Sequence, residues 1–410
     1  YVGEISENEL RQFSEGNYAA GDQIGKNGIE RQYEDVLRGT PGEESVEVDA
    51  RGRKIRTIDT RPAGRGEDLH LTLDLGAQRL AADLMKGYRG AIVVMDAHTG
   101  EVLVLYSSPS YDNNPLAWGV SLREWNALVK DPEKPMLDRS ISGQYPPAST
   151  FKALMGLAAL EEKETTTALT AHCSGAFTVG NRTFRCWKRS GHGTVNLLRA
   201  LQESCDVYFY QVGLKLGISR ILKWCSLFGL GSPTGIDLPG ESAGVTAGPD
   251  WKRARFKESW YQGDTVNYSI GQGFLLTTPL QIARLYAVIA NGGKLVRPHL
   301  SSTAGVVARN LSLEKKNLDV IRKGLDYVVR RGTGRQAGSF GITVAGKTGT
   351  AQNAHGDDHA LFAGYAPMDN PKYVAVALIE AGLHGSSVAS PMVGEILSYL
   401  LVPEARGKAQ

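Results

Sequence analysis

A serine and a lysine three positions apart, Ser149 and Lys152, stand in the segment Tyr145-Pro146-Pro147-Ala148-Ser149-Thr150-Phe151-Lys152. A serine hydroxyl is a poor nucleophile until a neighbour takes its proton. A lysine desolvated in a cleft can have its pKa lowered enough to do so. The two prolines hold the chain extended, and the apolar spacing of Leu154, Leu157, Ala158 and Leu160 then predicts a helix opened by Ser149. Positions three apart share a helix face, so Lys152 lies beside Ser149. The helix N-terminus adds a positive dipole end near a developing oxyanion. Alone, the pair also reads as a capping serine followed by an exposed lysine.

Two further segments add chemistry. Val344-Ala345-Gly346-Lys347-Thr348-Gly349-Thr350 is an apolar run ending in Lys-Thr-Gly. On a strand Thr348 and Thr350 project to one face; with Lys347 nearby they suit a carboxylate, and Gly349 leaves room for a substrate backbone. Between these motifs lies Glu203-Ser204-Cys205-Asp206, ahead of the apolar Val207-Tyr208-Phe209-Tyr210. Ser204 and Asp206 can reach a nucleophile from a connection between helices. Singly, the first of these segments is an ordinary strand end and the second an N-cap.

A separate set is Cys173, Cys186, His192 and Cys205, spaced C-x12-C-x5-H-x12-C. Three thiolates and an imidazole suit a structural Zn2+ site. A disulfide and unliganded thiols are the rival readings, and His172 is a rival ligand. Cys205 sits between Ser204 and Asp206, so its side chain should point away from the cleft and a metal there would pin both neighbours. Cys225 lies in an apolar helical pattern and reads as core. His355, Asp357, Asp358 and His359 read as a solvated loop at the cleft rim. Trp251, Trp260 and Tyr261, mixed with Lys252, Arg253, Arg255 and Lys257, read as a segment packed over the fold with a basic outer face.

The elements that must position these residues are legible in outline. The 410 residues exceed one ordinary core, and 42% hydrophobic with 22% charged residues is a globular composition. A net charge of +3 is too mild to imply nucleic-acid binding. No run of about 18 apolar residues is present. The first residue is Tyr1, so a processed or truncated fragment is expected. Residues 1–66 are polar and Gly-rich, with weak strands at Val46–Val48 and Lys54–Ile58 around an Arg51-Gly52 turn. From Asp68 the texture changes. Leu69–Asp74 alternates as a strand, Leu75–Lys86 has helical spacing, and Ala91–Met95 with Val102–Tyr106 form a hairpin. A long helical and loop region runs to about 338. Strands follow near 342–348, 360–366 and 373–380, then a closing helix from about Pro391 to Leu401. Strands at both ends with helices between predict an α+β domain whose sheet joins early and late segments.

Ser-x-x-Lys, Ser-x-Asp and Lys-Thr-Gly in this order are far more specific than any one of them, and the set resembles the penicillin-interacting serine acyltransferases. Ile24–Glu30, Tyr33–Gly39, Tyr261–Thr265 and Ile270–Gly273 narrow the resemblance to the class B penicillin-binding proteins, of the elongation type. Asp206 stands where the wider superfamily usually has Asn, as in the elongation type. The resemblance covers nearly the whole chain. It implies a penicillin-binding transpeptidase fold: an antiparallel sheet flanked by helices plus an all-helical part over 67–405, with a small pedestal module at 1–66.

The same resemblance implies a D,D-transpeptidase that cross-links peptidoglycan stem peptides during cell elongation and is trapped by β-lactam antibiotics. Ser149 would be acylated, Lys152 the base, Ser204 a proton relay, and Lys347, Thr348 and Thr350 the carboxylate-binding edge, with the N–H groups of Ser149 and Thr350 as oxyanion hole. Some elongation-type members resemble this chain in binding a metal near the middle motif. The implied partners are a SEDS-type glycan polymerase and an MreC-type scaffold, with no nucleic acid. The implied location is the cell inner membrane, the catalytic domain in the periplasm and the anchor outside this fragment. A D,D-carboxypeptidase or β-lactamase is the enzymatic alternative, although no deacylating Glu motif is found between Ser149 and Lys347. A non-catalytic scaffold or β-lactam sensor is the other.

Overall fold

The computed structural model describes residues 1–13, 18–353 and 356–406. Its central sheet draws on two distant stretches of chain. Gly90–Asp96 (β1) and Val102–Ser108 (β2) form the expected hairpin, and Ala345–Ala351 (β3), His359–Ala366 (β4) and Tyr373–Ile379 (β5) come from the other end. The order is β3-β4-β5-β1-β2, antiparallel throughout. Early and late segments therefore join between β1 and β5, with Val93 opposite Val376. The helices that matter for the site are Leu75–Leu84 (α1), Lys152–Glu161 (α2), Leu197–Gln202 (α3), Asp206–Leu227 (α4), Pro279–Asn291 (α5), Lys315–Arg331 (α6) and Ala389–Leu401 (α7).

Strand alternation divides the core into two layers. Ile92, Val94, Phe362 and Ala375 face one way and are buried with Ala77 and Ala81 of α1 and Val393, Ile396 and Leu397 of α7. Val93, Met95, Leu361 and Val376 face the other way and join Leu154 and Leu157 of α2 and Leu285, Tyr286 and Ile289 of α5. Each such side chain contributes roughly 1.5–3 kcal/mol by leaving water, so α2 is fixed against the sheet from within. α2 is buried from Lys152 to Leu160, with no solvated face to weaken its seat.

Two expectations differ in detail. Leu69–Asp74 is extended but is not a strand: only Leu71 makes a bridge, to Ser301. Its backbone partners come from two segments, with Thr72 N–H donating to Leu300 O and Asp74 N–H to Leu103 O, so no continuous ladder forms. The region after Ser149 also holds short strands: Thr170–Cys173 pairs with Gly193–Asn196, and Ala176–Val179 with Arg182–Arg185. Four-residue strands give too little alternation to stand out in a sequence.

In the N-terminal module the expected strands lie inside one exposed hairpin, Glu43–Val48 with Lys54–Arg61. The module is tied to the larger part through Tyr33, whose hydroxyl hydrogen-bonds Asp237. The Asp237 carboxylate also accepts from Leu300 N at 2.7 Å and Ser301 N at 2.9 Å. Burial and the bond to Asp237 push the Tyr33 phenol up to about 12. Trp251 and Trp260 pack around Phe274 as expected of a segment laid over the fold, while Arg253, Arg255 and Lys257 face water. Lys252 departs from that basic outer face: it is buried and pairs with Asp264 at 2.7 Å.

Candidate active site

Ser149 does not open the α-helix. It lies in a 3-10 turn, Ala148–Phe151, and α2 begins at Lys152. In a 3-10 turn hydrogen bonds span i to i+3, and the Lys152 N–H donates to Ser149 O across that spacing. The turn is held from all sides. Ala148 has a left-handed φ of 49°, a strained conformation for a residue with a Cβ. Its N–H donates to Gly271 O at 2.9 Å. A Cβ on Gly271 would come within 2.3 Å of Ala148 O, so only glycine fits there. Tyr286 of α5 donates its hydroxyl to Thr150 O at 2.9 Å. Tyr145 exchanges backbone hydrogen bonds with Thr277 and donates its hydroxyl to Glu380 at 2.6 Å. Glu380 also pairs with the buried Arg139 at 2.8 Å.

Lys152 has no exposed surface. Its Nζ donates to Asp206 Oδ1 at 2.6 Å, Ser204 O at 2.9 Å and Ser204 Oγ at 3.2 Å. Those three bonds use all three ammonium donors. Ser204 has φ 55°, the second strained non-glycine residue at this centre. Asp206 begins α4, where a carboxylate is favoured by the helix dipole, and its Oδ2 accepts from Trp187 N at 2.9 Å.

β3 brings the third motif. Ala345 and Ala351 belong to the layer that holds α2, so by alternation Lys347 and Gly349 face it too, and Thr348 and Thr350 share the opposite face. Lys347 is wholly buried and its Nζ donates to Thr348 O at 3.1 Å. Burial, then the nearby Lys152 charge, push its pKa well below that of an ordinary lysine. Gly349 clears space for the nucleophile turn: a Cβ would stand 3.2 Å from Thr150 Cγ2 and 3.4 Å from Pro147 O. Thr348 Oγ1 is 2.7 Å from Thr333 Oγ1, and Gln272 Nε2 donates to Thr350 O at 3.3 Å. The structure thus brings Ser204 and Asp206 to Lys152, and packs Gly349 of the Lys-Thr-Gly strand against the Ser149 turn.

Beside this centre Cys173, Cys186, His192 and Cys205 are all buried, with their ligating atoms within 4.8 Å of one another. His192 Nδ1 stands 3.6 Å from Cys173 Sγ and 3.5 Å from Cys186 Sγ. A tetrahedral zinc with Zn–S near 2.3 Å asks for S···S separations of about 3.8 Å, so the cluster is of the right size. The Cys205 thiol donating to Cys186 lowers the pKa of the latter and is itself pushed upward. The cysteines are free thiols, His172 is exposed beside Thr194, and Cys225 is buried in α4 apart from the cluster. The cluster is the one group of potential metal ligands among the described residues. His359 opens β4, its ring edge-on to Tyr145; Asp357 and Asp358 precede it, and His355 lies outside the described residues.

Thr333, Trp187 and the Arg139–Glu380 pair carry no motif, and their places could not be read from their neighbours in sequence. Gln272 lies in a segment already singled out, but its partner Thr350 is visible only in three dimensions.

Residues 90–398 match the penicillin-binding protein transpeptidase domain, and residues 1–71 the penicillin-binding protein dimerisation domain. The chain belongs to the penicillin-binding protein transpeptidases. Among relatives of this family, peptidoglycan D,D-transpeptidase MrdA of Haemophilus influenzae is 39% identical over 98% of this chain and 67% of its own length. The chain thus spans about two thirds of that relative. Solved structures are also similar over 98% of the chain, three of them as follows. The Helicobacter pylori complex of penicillin-binding protein 2 with MreC has TM-score 0.90, 36% identity and 76% of its chain covered. Pseudomonas aeruginosa penicillin-binding protein 2 in complex with WCK 5153 has TM-score 0.88, 35% identity and 87% covered. A peptidoglycan synthase complex coordinating polymerization and crosslinking has TM-score 0.87, 34% identity and 74% covered. The fold is the penicillin-binding transpeptidase fold with its N-terminal module. The activity of this penicillin-binding transpeptidase is serine-type peptidoglycan D,D-transpeptidation. Among the described residues no helix is long and apolar enough to cross a membrane.

Proposed function

We propose that Ser149 attacks the carbonyl between the last two D-alanines of a stem peptide and becomes acylated. Lys152, reacting as the neutral amine, accepts the hydroxyl proton and becomes the ammonium bonded to Asp206, and Ser204 passes a proton on to the nitrogen of the leaving D-alanine. Asp206 positions Lys152 and Ser204. Lys347, Thr348 and Thr350 receive the terminal carboxylate, and the N–H groups of Ser149 and Thr350 stabilise the oxyanion. An arriving carboxylate supplies the negative charge that buried Lys347 lacks. An amine of a neighbouring stem then displaces Ser149 and forms the cross-link. β-Lactams stop at the ester, in keeping with the lack of a deacylating Glu motif in the sequence between Ser149 and Lys347.

The observation that supports this most directly is the buried Lys152, three residues after Ser149 with its backbone N–H on Ser149 O, and bonded through Nζ to Ser204 and Asp206. The test is incubation with a fluorescent penicillin and intact-mass measurement. One β-lactam adduct is expected, absent from Ser149→Ala; stoichiometric labelling of that variant refutes the assignment.

Cys173, Cys186, His192 and Cys205 would hold one zinc ion, which supplies no chemistry and serves to cross-link the hairpin region 173–192 to the turn bearing Ser204. We read 1–66 as the pedestal and 67–405 as the transpeptidase domain. The working site is the periplasmic side of the inner membrane, where the peptidoglycan substrate lies. The partners are an MreC-type scaffold and a SEDS-type glycan polymerase of the cell-elongation machinery, in line with the two complexes among the similar structures.

A further inference from the structure

Trp187 is a large aromatic side chain left 57% exposed beside the catalytic centre. It is held rigidly. Its backbone N–H donates to Asp206 Oδ2 at 2.9 Å and its indole N–H to Glu203 O at 3.0 Å. Its ring stands edge-on to His192, 5.5 Å between centroids at 62°. These anchors lay the indole along the turn that carries Ser204, with its one donor already used and more than half of the residue's surface open to solvent.

The second half-reaction needs an amine acceptor, which arrives as an ammonium. A cation is held by a carboxylate or by an aromatic face within about 6 Å. The carboxylates of this turn are engaged. Asp206 accepts from Lys152 and from Trp187 N, and Glu203 pairs with Arg199 at 2.8 Å. Lys152 and Lys347, the two long side chains buried at the centre, add no carboxylate that could hold an ammonium. We infer that the exposed indole face of Trp187 is the recognition surface for the acceptor ammonium, a cation–π subsite next to Ser204.

This rests on Ser149 being the acylated residue. In the step that follows, the bound ammonium loses one proton to solvent. The free amine attacks the Ser149 ester carbonyl, the C–Oγ bond breaks, and the second amine proton passes through Lys152 to Ser149 Oγ. The products are an amide and the free serine.

The test uses the full chain with an acyl-D-alanyl thioester as donor. Its acyl group is partitioned between water, a primary alkyl amine and methanol, an uncharged acceptor of the same ester. For Trp187→Leu the amine-to-water product ratio should fall about three- to fivefold, the size of a cation–π contact at an exposed site, while the methanol-to-water ratio stays within about 1.5-fold. Trp187→Phe, which keeps a π face, should recover most of the amine ratio. Equal falls with amine and methanol, or no fall in Trp187→Leu, overturn the subsite. No thioester-derived adduct on Ser149 of the unsubstituted protein refutes the underlying reading instead.

Discussion

Lys152 and Asp206 meet at 2.6 Å in a place where the lysine has no solvent contact. A buried pair of this kind is weak support for stability, yet removing one partner leaves the other charge stranded, which costs about 3–5 kcal/mol. The pair therefore separates catalysis from folding in a measurable way. Lys152→Met should lower acylation by about 100-fold or more and lower Tm as well. Lys152→Met combined with Asp206→Asn should recover much of the Tm with no recovery of acylation. Recovery of both in the double variant would mean that the lysine is not the base.

Gly271 touches the nucleophile turn from the opposite side. Its φ is 73°, and a Cβ would meet Ala148 O at 2.3 Å. Gly271→Ala should cost about 1–3 kcal/mol through backbone strain. Because the displaced atom belongs to the residue before Ser149, acylation should slow more than at control glycine Gly87, where a Cβ meets nothing within 4 Å. Penicillin-labelling rates beside melting curves decide this.

Glu380 gives a pH signature. Burial pushes its carboxyl up, but the hydrogen bonds from Tyr145 and Arg139 outweigh it and hold the pKa below the ordinary range. A depressed carboxylate stabilises fully above its unfolded value, about 4.3, and that contribution is lost as pH falls through the lower folded value. Wild-type Tm should thus drop below about pH 4.3. Glu380→Gln should start lower at pH 7 and show a shallower acid slope. Parallel slopes would remove Glu380 from the account.

Zinc is tested by elemental analysis with a thiol count after denaturation in chelator. About one equivalent of zinc with every cysteine titratable is the expected result for a closed four-ligand site. Cys205→Ser should lose metal and Tm together, since binding free energy is folding free energy in such sites. Protein without metal and with two thiols missing would establish a disulfide.

The motifs were readable because chemistry fixes residue types at short spacing: Ser149 with Lys152, Ser204 with Asp206, Lys347 with Gly349. The α+β class followed from strands at both ends of the chain, and the hairpin at 90–108 from plain alternation. The 3-10 turn was not readable, since it depends on Gly271 accepting Ala148, a contact across the fold. The packing of Gly349 against the nucleophile turn was not readable for the same reason: Thr150 and Pro147 lie far away in sequence. Thr333 and Trp187 left no trace in spacing, because Thr333 reaches the site through one tertiary hydrogen bond and Trp187 through two.

The pairing of β1 with β5 has a consequence for biogenesis. β1 lies inside the sheet, between β2 and β5, and its free edge is covered only when residues 373–379 arrive, near the end of the chain. Until then Ile92, Val93 and Val94 present an unsatisfied, apolar strand edge, the kind of surface that recruits foreign strands. The newly made polypeptide cannot close this domain piece by piece. The sheet stays open until residues 373–379 have been made, and during that interval a holding chaperone would decide how much of the polypeptide escapes aggregation.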